Sequence, residues 1–275
     1  MIMGVYASQA LLVSDMDGTL LKDDKTIHKE DYIQLHKWEK LGGRFTIATG
    51  RSILSAKNHL ESLPVNCPAI LFNGSVIYDY QKNKTLYCSY LSNSFASTIR
   101  FVKESFPEVG IELMQEDLIQ LAVSNEIVKR HIENENLQYE FCSLDNLPDR
   151  IIKVLFGVPE PMVEHFCDSI TSHLPSDIYC IQTDKMYVEL LQKGVNKNTG
   201  LMKMKQLLGL ENQYTIAIGD YYNDFELLQD ADFGVAVANA QDTLKSIARY
   251  ETKSNQEAAI ADTIRFLFEN NIIFA

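Results

Sequence analysis

The chain has 275 residues, of which 46% are hydrophobic and 23% are charged, and its formal net charge is −12. This balance is typical of a globular protein that is long enough for two domains. The sequence has no apolar run of about 18 residues and no secretory signal within Met1–Gln9, so it predicts neither a transmembrane helix nor export. The cysteines are odd in number and lack a C-x-x-C pair, which argues against zinc or a disulfide framework and favours the cytoplasm.

The first informative segment runs from Ala10 to Leu21, where apolar residues lead into two aspartates. The apolar residues predict a strand covered on both faces, and Gly18 and Thr19 predict a turn after it. Asp15 and Asp17 then lie at the carboxyl end of the strand, where open α/β sheets bind ligands. Paired carboxylates favour a hard cation such as Mg²⁺, although a lone D-x-D is more often a solvated turn or a helix cap.

The second segment is Arg44–Ser52, in which a β-branched apolar run ends in small polar residues and a helical pattern follows. The hydroxyl of Thr49 and the backbone N–H groups of Thr49 and Gly50 would form an anion cradle at a helix N-terminus. The alternative is an ordinary strand-to-helix turn in which Thr49 or Ser52 caps the helix.

The third segment contains Lys197, at or near the start of a helix that is predicted to run through Leu208. A lysine in this position opposes the helix dipole, which is mildly unfavourable unless an anion is nearby. A solvated surface lysine is the alternative.

The fourth segment is a predicted strand that begins at Tyr214 and places Asp220 at its carboxyl end. Asn223 and Asp224 follow where a helix should begin. Asp220 and Asp224 could therefore point into one crevice, although Asp224 could also serve only as a helix cap.

The order of the predicted elements indicates one domain inserted into another. Residues 1–83 and 192–275 read as βα units with a short hairpin at Ser75–Tyr80, and residues 84–191 read as an α+β module. We expect the helices of this module to pack on one face of a largely antiparallel sheet. Its predicted helices cover residues 95–105, 126–136 and 160–173, and its strand-like runs cover Ile111–Met114, Leu118–Val123, Ile151–Val158, Tyr179–Gln182 and Tyr187–Leu191.

The charge of the chain is concentrated in the inserted segment. Residues 84–191 contain 8 Lys and Arg against 17 Asp and Glu, a net charge of −9, whereas the remainder has 17 against 20, a net charge of −3. Such an acidic segment disfavours polyanions, which argues against nucleic acids and highly phosphorylated substrates. A small ligand with a neutral or cationic body fits better, unless the charge only keeps the surface soluble.

Taken together, these segments resemble the haloacid dehalogenase superfamily of phosphohydrolases, and most closely its Cof-type small-molecule phosphatases. The matching signatures are Asp15-Met16-Asp17-Gly18-Thr19, Thr49-Gly50-Arg51, Asn73-Gly74, Lys197 and Gly219-Asp220-x-x-Asn223-Asp224. The resemblance covers roughly residues 11–268. It implies a Rossmann-like, doubly wound and mostly parallel α/β core, with an inserted α+β cap that closes over the active site and sets substrate choice.

Two departures from this family accompany the match. Tyr221-Tyr222 stand where small or acidic residues are expected, which could change how the pocket mouth accepts a leaving group. Alanine stands within Asn255–Ile260 where Asp-Gly is common, which suggests a different backbone turn before the last helix. Neither departure removes a catalytic group.

The resemblance also implies a role for each matching residue. Asp15 would be the nucleophile, and Asp17 would be the general acid and base. Mg²⁺ would be held by Asp15, the backbone carbonyl of Asp17, Asp220 and, directly or through water, Asp224. Thr49 and Lys197 would complete the catalytic set. The phosphate would be held by Thr49, Gly50, Asn73, Gly74, Lys197 and Asn223. Asn223 could instead hold Lys197 or Asp224.

The function implied by the resemblance is a Mg²⁺-dependent phosphohydrolase that works through an aspartyl-phosphate. Its substrates would be small phosphomonoesters of a neutral or cationic body, such as sugar phosphates. A phosphomutase or phosphotransferase and a non-catalytic sensor of phosphate ligands are the alternatives. A dinucleotide-binding enzyme and a P-loop kinase are disfavoured because G-x-G-x-x-G after the first strand and G-x-x-x-x-G-K-[ST] do not occur. We expect a cytoplasmic monomer or small homo-oligomer without nucleic-acid or membrane partners.

Overall fold

The computed structural model describes residues 5–116, 118–135 and 137–275. The strands are, in chain order, Val5–Tyr6 (β1), Ala10–Ser14 (β2), Arg44–Ile47 (β3), Ala69–Leu71 (β4), Val76–Asp79 (β5), Lys84–Cys88 (β6), Gly110–Met114 (β7), Ile119–Val123 (β8), Tyr139–Phe141 (β9), Lys153–Gly157 (β10), Ile178–Asp184 (β11), Tyr187–Gln192 (β12), Tyr214–Gly219 (β13), Phe233–Ala236 (β14), Tyr250–Glu251 (β15) and Ile273–Phe274 (β16). The α-helices are Lys29–Lys40 (α1), Ile53–Leu60 (α2), Phe95–Ser105 (α3), Glu126–Asn134 (α4), Val163–Thr171 (α5), Lys197–Leu208 (α6), Phe225–Asp230 (α7), Asp242–Ile247 (α8) and Ala259–Glu269 (α9). Among the residues described, no helix is both long enough and apolar enough to cross a membrane.

The chain forms two compact units. The first unit contains the chain up to Gly50 together with Lys57–Leu86 and Asn196–Ala275, and the second contains Arg51–Ala56 and Tyr87–Val195. The domain boundaries at residues 83/84 and 191/192 stay a prediction.

The first unit is built on a parallel sheet with the strand order β15-β14-β13-β2-β3. A parallel bridge between Ala48 and Ile70 places β4 beside β3. Every residue of β2 is buried, which explains its nearly continuous apolar sequence. The predicted doubly wound α/β core is thereby confirmed, and the carboxyl ends of β13, β2, β3 and β4 lie side by side along one edge of this sheet.

Two features of this unit lie at the start of α9. Ala258 adopts φ 64°, a left-handed conformation that favours glycine, so the chain makes this turn without the glycine noted above. Asp31, in the first turn of α1 and only 1% exposed, accepts a 2.7 Å hydrogen bond from the N–H of Ala261. Burial raises the pKa of Asp31 to about 7, although the N–H groups of Ala261 and Ile260 oppose the shift.

Asp31 is therefore expected to make the free energy of unfolding depend on pH. Because its pKa is raised on folding, the folded state holds a proton that the unfolded state has lost, and stability falls as the pH rises from the unfolded value toward 7. Relative to Asp31→Asn, the native chain should lose about 2 to 3 kcal/mol between pH 5 and pH 8. Urea unfolding of both chains at the two pH values measures this difference, and a difference independent of pH would contradict the assignment.

The second unit is a six-stranded sheet with the order β11-β12-β10-β7-β8-β9. Its pairs are antiparallel except for β8 with β9, as the α+β prediction required. One face packs against α3 and α5 through an apolar core that includes Ile99, Phe156 and Phe166. The expectation that all helices lie on one face was wrong, because His131 of α4 contacts Glu112, whose side chain points to the opposite face from the neighbouring core residues.

Charged groups are buried on this opposite face. The Lys153 ammonium lies 2.6 Å from Glu189, and the His131 ring lies 2.9 Å from Glu112. Burial works against the charged form of His131, but Glu112 and Glu135 outweigh it and raise the histidine pKa. These ion pairs satisfy charges that would otherwise be costly inside the unit.

Candidate active site

Three carboxylates meet at the edge of the parallel sheet in the first unit, in the segments that follow two neighbouring strands. Asp15 follows β2 directly, and Asp220 follows β13 directly. With Asp224, they offer carboxylate oxygens that lie within 4.8 Å of one another. The strand ends therefore bring together the acids that the sequence placed in one crevice.

A fully buried lysine lies between two of these carboxylates. The Lys197 Nζ atom is 2.6 Å from Asp15 Oδ1 and 2.6 Å from Asp224 Oδ1. Helix α6 begins at Lys197, and the side chain of Asn196 caps it by accepting a hydrogen bond from the N–H of Thr199. The neighbouring carboxylates offset the unfavourable helix dipole. Lys197 is therefore the buried counterion of two anions, and the solvated-surface alternative does not apply.

The electrostatics of this cluster are strongly perturbed. Burial raises the pKa of Asp15 to about 7, with Asp224 and Asp17 adding to the shift and Lys197 opposing it. Burial and the charges of Asp15 and Asp224 also raise the pKa of Asp220. The two aspartates beside Lys197 raise the lysine pKa against the effect of burial, so the lysine stays charged. The ionised forms of Asp15 and Asp220 thus lack compensating positive charge, which a bound cation would supply.

Asp224 is held by the backbone as well as by the lysine. Its Oδ2 atom accepts hydrogen bonds from the N–H groups of Asp220 at 3.1 Å and Tyr221 at 3.3 Å, while Oδ1 accepts from Lys197. The residue is fully buried in the short 3₁₀ turn Tyr222–Asp224. Asp224 therefore holds the loop that carries Asp220 in place, in addition to capping the turn.

The loop after β2 approaches Asp220 closely. Gly18 has φ 78°, and a Cβ atom there would lie 2.4 Å from Asp220 Oδ2, so a side chain at this position would displace the carboxylate. The hydroxyl of Thr19 donates a 3.1 Å hydrogen bond to Asp220 Oδ1. The sequence predicts Thr19 only as part of a turn, although its place directly after Asp-x-Asp-Gly could have indicated a contact within the site.

The Asp17 side chain lies apart from the three-carboxylate cluster. It is 38% exposed, and its Oδ1 atom is 2.7 Å from the ammonium group of Lys25. Its partial exposure distinguishes it from Asp15, Asp220 and Asp224. This is consistent with a metal contact through its backbone carbonyl rather than its carboxylate.

The predicted anion cradle needs a correction at one atom. The N–H group of Thr49 donates a 2.9 Å hydrogen bond to the carbonyl of Ile70, because the strand pairing continues past β3, so it is not directed at a ligand. Helix α2 begins only at Ile53, and Ser52 Oγ accepts a hydrogen bond from the N–H of Ser55, as the capping alternative predicted. The Thr49 hydroxyl and Gly50 stay predicted phosphate contacts.

Asn73 and Gly74 form part of the short turn after β4. Asn73, which is 1% exposed and has φ 54°, donates its N–H to the carbonyl of Thr49 and accepts a 3.0 Å hydrogen bond from the side chain of Asn223. A Cβ atom on Gly74 would lie 2.1 Å from the carbonyl oxygen of Asn196. Gly74 therefore allows the turn to pack against the residue that caps α6. Asn223 contacts Asn73, a partner that the sequence did not predict.

Comparison with known proteins identifies the family of the chain. A model of the haloacid dehalogenase-like hydrolase family matches residues 12–264. The 5-amino-6-(5-phospho-D-ribitylamino)uracil phosphatase YitU of Bacillus subtilis (strain 168) is 29% identical over 94% of this chain and 96% of its own length. The phosphatase YcsE of the same organism, named for the same substrate, is 28% identical over 93% of this chain and 94% of its own length.

Comparison with solved structures gives a match in the overall fold. The crystal structure of a HAD/COF-like hydrolase from Plasmodium vivax matches with a TM-score of 0.82 and 24% identity, over 94% of this chain and 95% of that chain. At this level of identity the match concerns the fold alone. The family model spans nearly the whole chain, and the relatives named above are phosphatases. The chain therefore belongs to the haloacid dehalogenase-like hydrolase family, and it is a phosphatase of that family.

Proposed function

We propose that the chain is a Mg²⁺-dependent phosphohydrolase that removes phosphate from small phosphomonoesters through an aspartyl-phosphate intermediate. The observation that carries this proposal is the convergence of Asp15, Asp220 and Asp224 around the buried ammonium group of Lys197. Such a cluster is costly without a bound cation, since the negative charges exceed the positive ones.

The residues present fit a magnesium ion. Asp15 and Asp220 supply the carboxylate oxygens that Mg²⁺ prefers, and the backbone carbonyl of Asp17 would add a further oxygen. Asp224 would act through water or through its neighbours, because both of its oxygens already accept hydrogen bonds. When bound, the ion would orient the phosphoryl oxygens and neutralise charge that develops on them.

In the first chemical step, a carboxylate oxygen of Asp15 attacks phosphorus. An O–P bond forms to Asp15 as the bond from phosphorus to the leaving oxygen breaks, which gives an aspartyl-phosphate. Asp17 donates a proton to the departing alkoxide, so the alcohol leaves as a neutral molecule. Lys197 lies against Asp15 Oδ1, where its charge would offset that of the incoming phosphate.

In the second step, water attacks phosphorus and regenerates Asp15. Asp17, left as a carboxylate by the first step, accepts a proton from the water as the O–P bond to Asp15 breaks. Inorganic phosphate then leaves. Thr49, Gly50 and Lys197 are the groups we assign to holding the phosphate, while Asn73 and Asn223 hold the surrounding turns together through their side-chain hydrogen bond.

The relatives and the charge distribution together indicate the substrate class. YitU and YcsE are named for a substrate that carries a phosphate on a ribityl chain attached to an uncharged ring system. The net charge of −9 over residues 84–191 disfavours substrates with several phosphates. We therefore propose phosphomonoesters of a primary alcohol on a neutral polyol, sugar or ribityl body.

Phosphate release tests this function. We expect the purified chain with Mg²⁺ to release inorganic phosphate from p-nitrophenyl phosphate and from pentose or pentitol 5-phosphates, and we expect excess EDTA to abolish the release until Mg²⁺ is restored. Nucleoside triphosphates should be poor substrates. Undiminished turnover in EDTA would contradict the metal dependence, because the oxygen ligands would then have no catalytic cation to hold.

The two alternative functions make different predictions in the same assay. A mutase or transferase would pass phosphate to a second hydroxyl, so substrate would disappear without stoichiometric inorganic phosphate. A sensor would bind phosphomonoesters without consuming them. The presence of both Asp15 and Asp17 favours hydrolysis over a sensor, because binding alone does not need a nucleophile and an acid two residues apart.

A further inference from the structure

Lys25, which forms an ion pair with Asp17, has no role in the machinery assigned above. The Lys25 Nζ atom is 2.7 Å from Asp17 Oδ1, and both side chains are partly exposed. Exposed ion pairs contribute little to folding stability. The contact therefore adds little to the free energy of unfolding of the first unit. Its main effect is on the orientation of the Asp17 carboxylate.

Lys25 is presented by a short, well-anchored turn. The N–H of Lys22 donates to the carbonyl of Thr26, and the N–H of Lys25 donates to the carbonyl of Lys22, each at 2.9 Å. Asp24 accepts hydrogen bonds from the N–H and the hydroxyl of Thr26. At the base of the turn, fully buried Leu21 forms bridges to Asp17 and to Ile27. The turn is thus tied to the same backbone segment that carries Asp17.

The backbone conformation of Lys25 is the second observation. Its φ is 62°, in the left-handed region that disfavours residues with a Cβ atom and favours glycine. A turn needed only for chain reversal would be most stable with glycine there. A strained residue with a long cationic side chain at this position points to a function for that side chain.

We propose that Lys25 is a positioning residue that holds the Asp17 carboxylate in the orientation required for proton transfer to the leaving oxygen. This inference rests on the proposed function, in which Asp17 is the acid of the first step. Lys25 donates to Oδ1, so the proton that Asp17 transfers would be carried on Oδ2 while the contact with Lys25 is kept. Proton transfer is efficient only when donor and acceptor are within hydrogen-bond reach, so a mobile Asp17 would be a poorer acid. The effect should appear only for leaving groups that need a proton.

A comparison of two substrates tests the proposal. An alkyl phosphate releases a strongly basic alkoxide, whereas p-nitrophenyl phosphate releases a stable phenolate that needs little protonation. With Lys25→Met we expect kcat/KM for a pentose 5-phosphate to fall roughly tenfold, a fraction of the 10²–10⁴ that a general acid contributes. The kcat/KM for p-nitrophenyl phosphate should change less than twofold, because this parameter covers only the steps through cleavage of the P–O bond.

Three further variants separate positioning from a structural role. Lys25→Arg keeps the charge and should recover most of the loss. Lys25→Gly relieves the left-handed strain and should unfold at the same urea concentration as the native chain or a higher one, yet show the kinetic defect of Lys25→Met. Lys22→Met changes a lysine of the same turn that pairs with Asp24, and it should leave both substrates unaffected.

The remaining outcomes would overturn the inference. Equal losses on both substrates would indicate a general structural defect, and no loss on either would show that Asp17 is oriented without Lys25. Lys25 also borders an open groove of about 400 Å³ with Lys29, Tyr32 and His59. A rise in KM with unchanged kcat would therefore assign Lys25 to substrate binding instead. If the native chain with Mg²⁺ hydrolysed neither substrate, the proposed function itself would fail, and the role of Lys25 with it.

Discussion

Replacing Asp15 with asparagine is expected to abolish phosphate release, with a loss on the order of 10⁴-fold or more, as for other catalytic nucleophiles. The amide has nearly the same shape, and its oxygen can still accept a hydrogen bond from Lys197, which lies 2.6 Å from Asp15 Oδ1. What it lacks is a negatively charged oxygen able to form the O–P bond. The loss should therefore appear in kcat on p-nitrophenyl phosphate as well as on alkyl phosphates, in contrast to changes at Lys25.

The same substitution should not weaken the fold. Burial raises the pKa of Asp15 to about 7, so the ionised carboxylate is a cost to the folded state near neutral pH. Removing that charge should leave the urea midpoint in EDTA at pH 8 unchanged or higher, as is common when an active-site residue is neutralised. Asp242→Asn, at an exposed position in the first turn of α8, is the matched control and should keep full activity. Turnover surviving in Asp15→Asn would overturn the aspartyl-phosphate mechanism.

Most of this site could be predicted because its residues follow strands. A short apolar run predicts a strand, and the residues that follow the end of the strand lie at the edge of a parallel sheet. Asp15 and Asp220 were placed in this way. The start of α6 at Lys197 and its end at Leu208 agree with the prediction, since the cap residue Asn196 and Gly209 mark the helix ends in the sequence itself.

The sequence could not predict contacts between residues that are far apart in the chain and become neighbours only in the folded protein. An asparagine side chain can bond to any neighbouring polar group. The pairing of Asn223 with Asn73 therefore depends on the strand order of the parallel sheet that contains β13 and on the bridge that joins β4 to that sheet. The N–H of Thr49 was assigned to a ligand because the extent of strand pairing with Ile70 is invisible in a single strand. The position of α4 was misjudged for a related reason, because an amphipathic pattern does not show which face of a sheet the helix covers.

Lys197→Met is expected to affect stability and catalysis together, which makes it the second test of the site. Methionine keeps the length of the side chain but leaves Asp15 and Asp224 buried without the ammonium group that now lies 2.6 Å from each. Removing one partner of a buried ion pair costs about 3 to 5 kcal/mol. We expect a loss of that size in the free energy of unfolding, measured with urea in EDTA. Lys203→Met, on the same helix but half-buried and hydrogen-bonded to a neutral partner, the side chain of Gln206, should lose far less.

Magnesium should distinguish the structural from the catalytic part of this effect. With the lysine removed, Asp15, Asp220 and Asp224 have a larger excess of negative charge, so Mg²⁺ should bind more tightly and raise the melting temperature more than in the native chain. Activity should nevertheless stay at least 100-fold below the native value, an order-of-magnitude expectation for losing one preorganised charge at the transferred phosphate. If Mg²⁺ restored turnover, Lys197 would serve only to neutralise the carboxylates. If Mg²⁺ restored stability but not turnover, Lys197 would also act on the transferred phosphate.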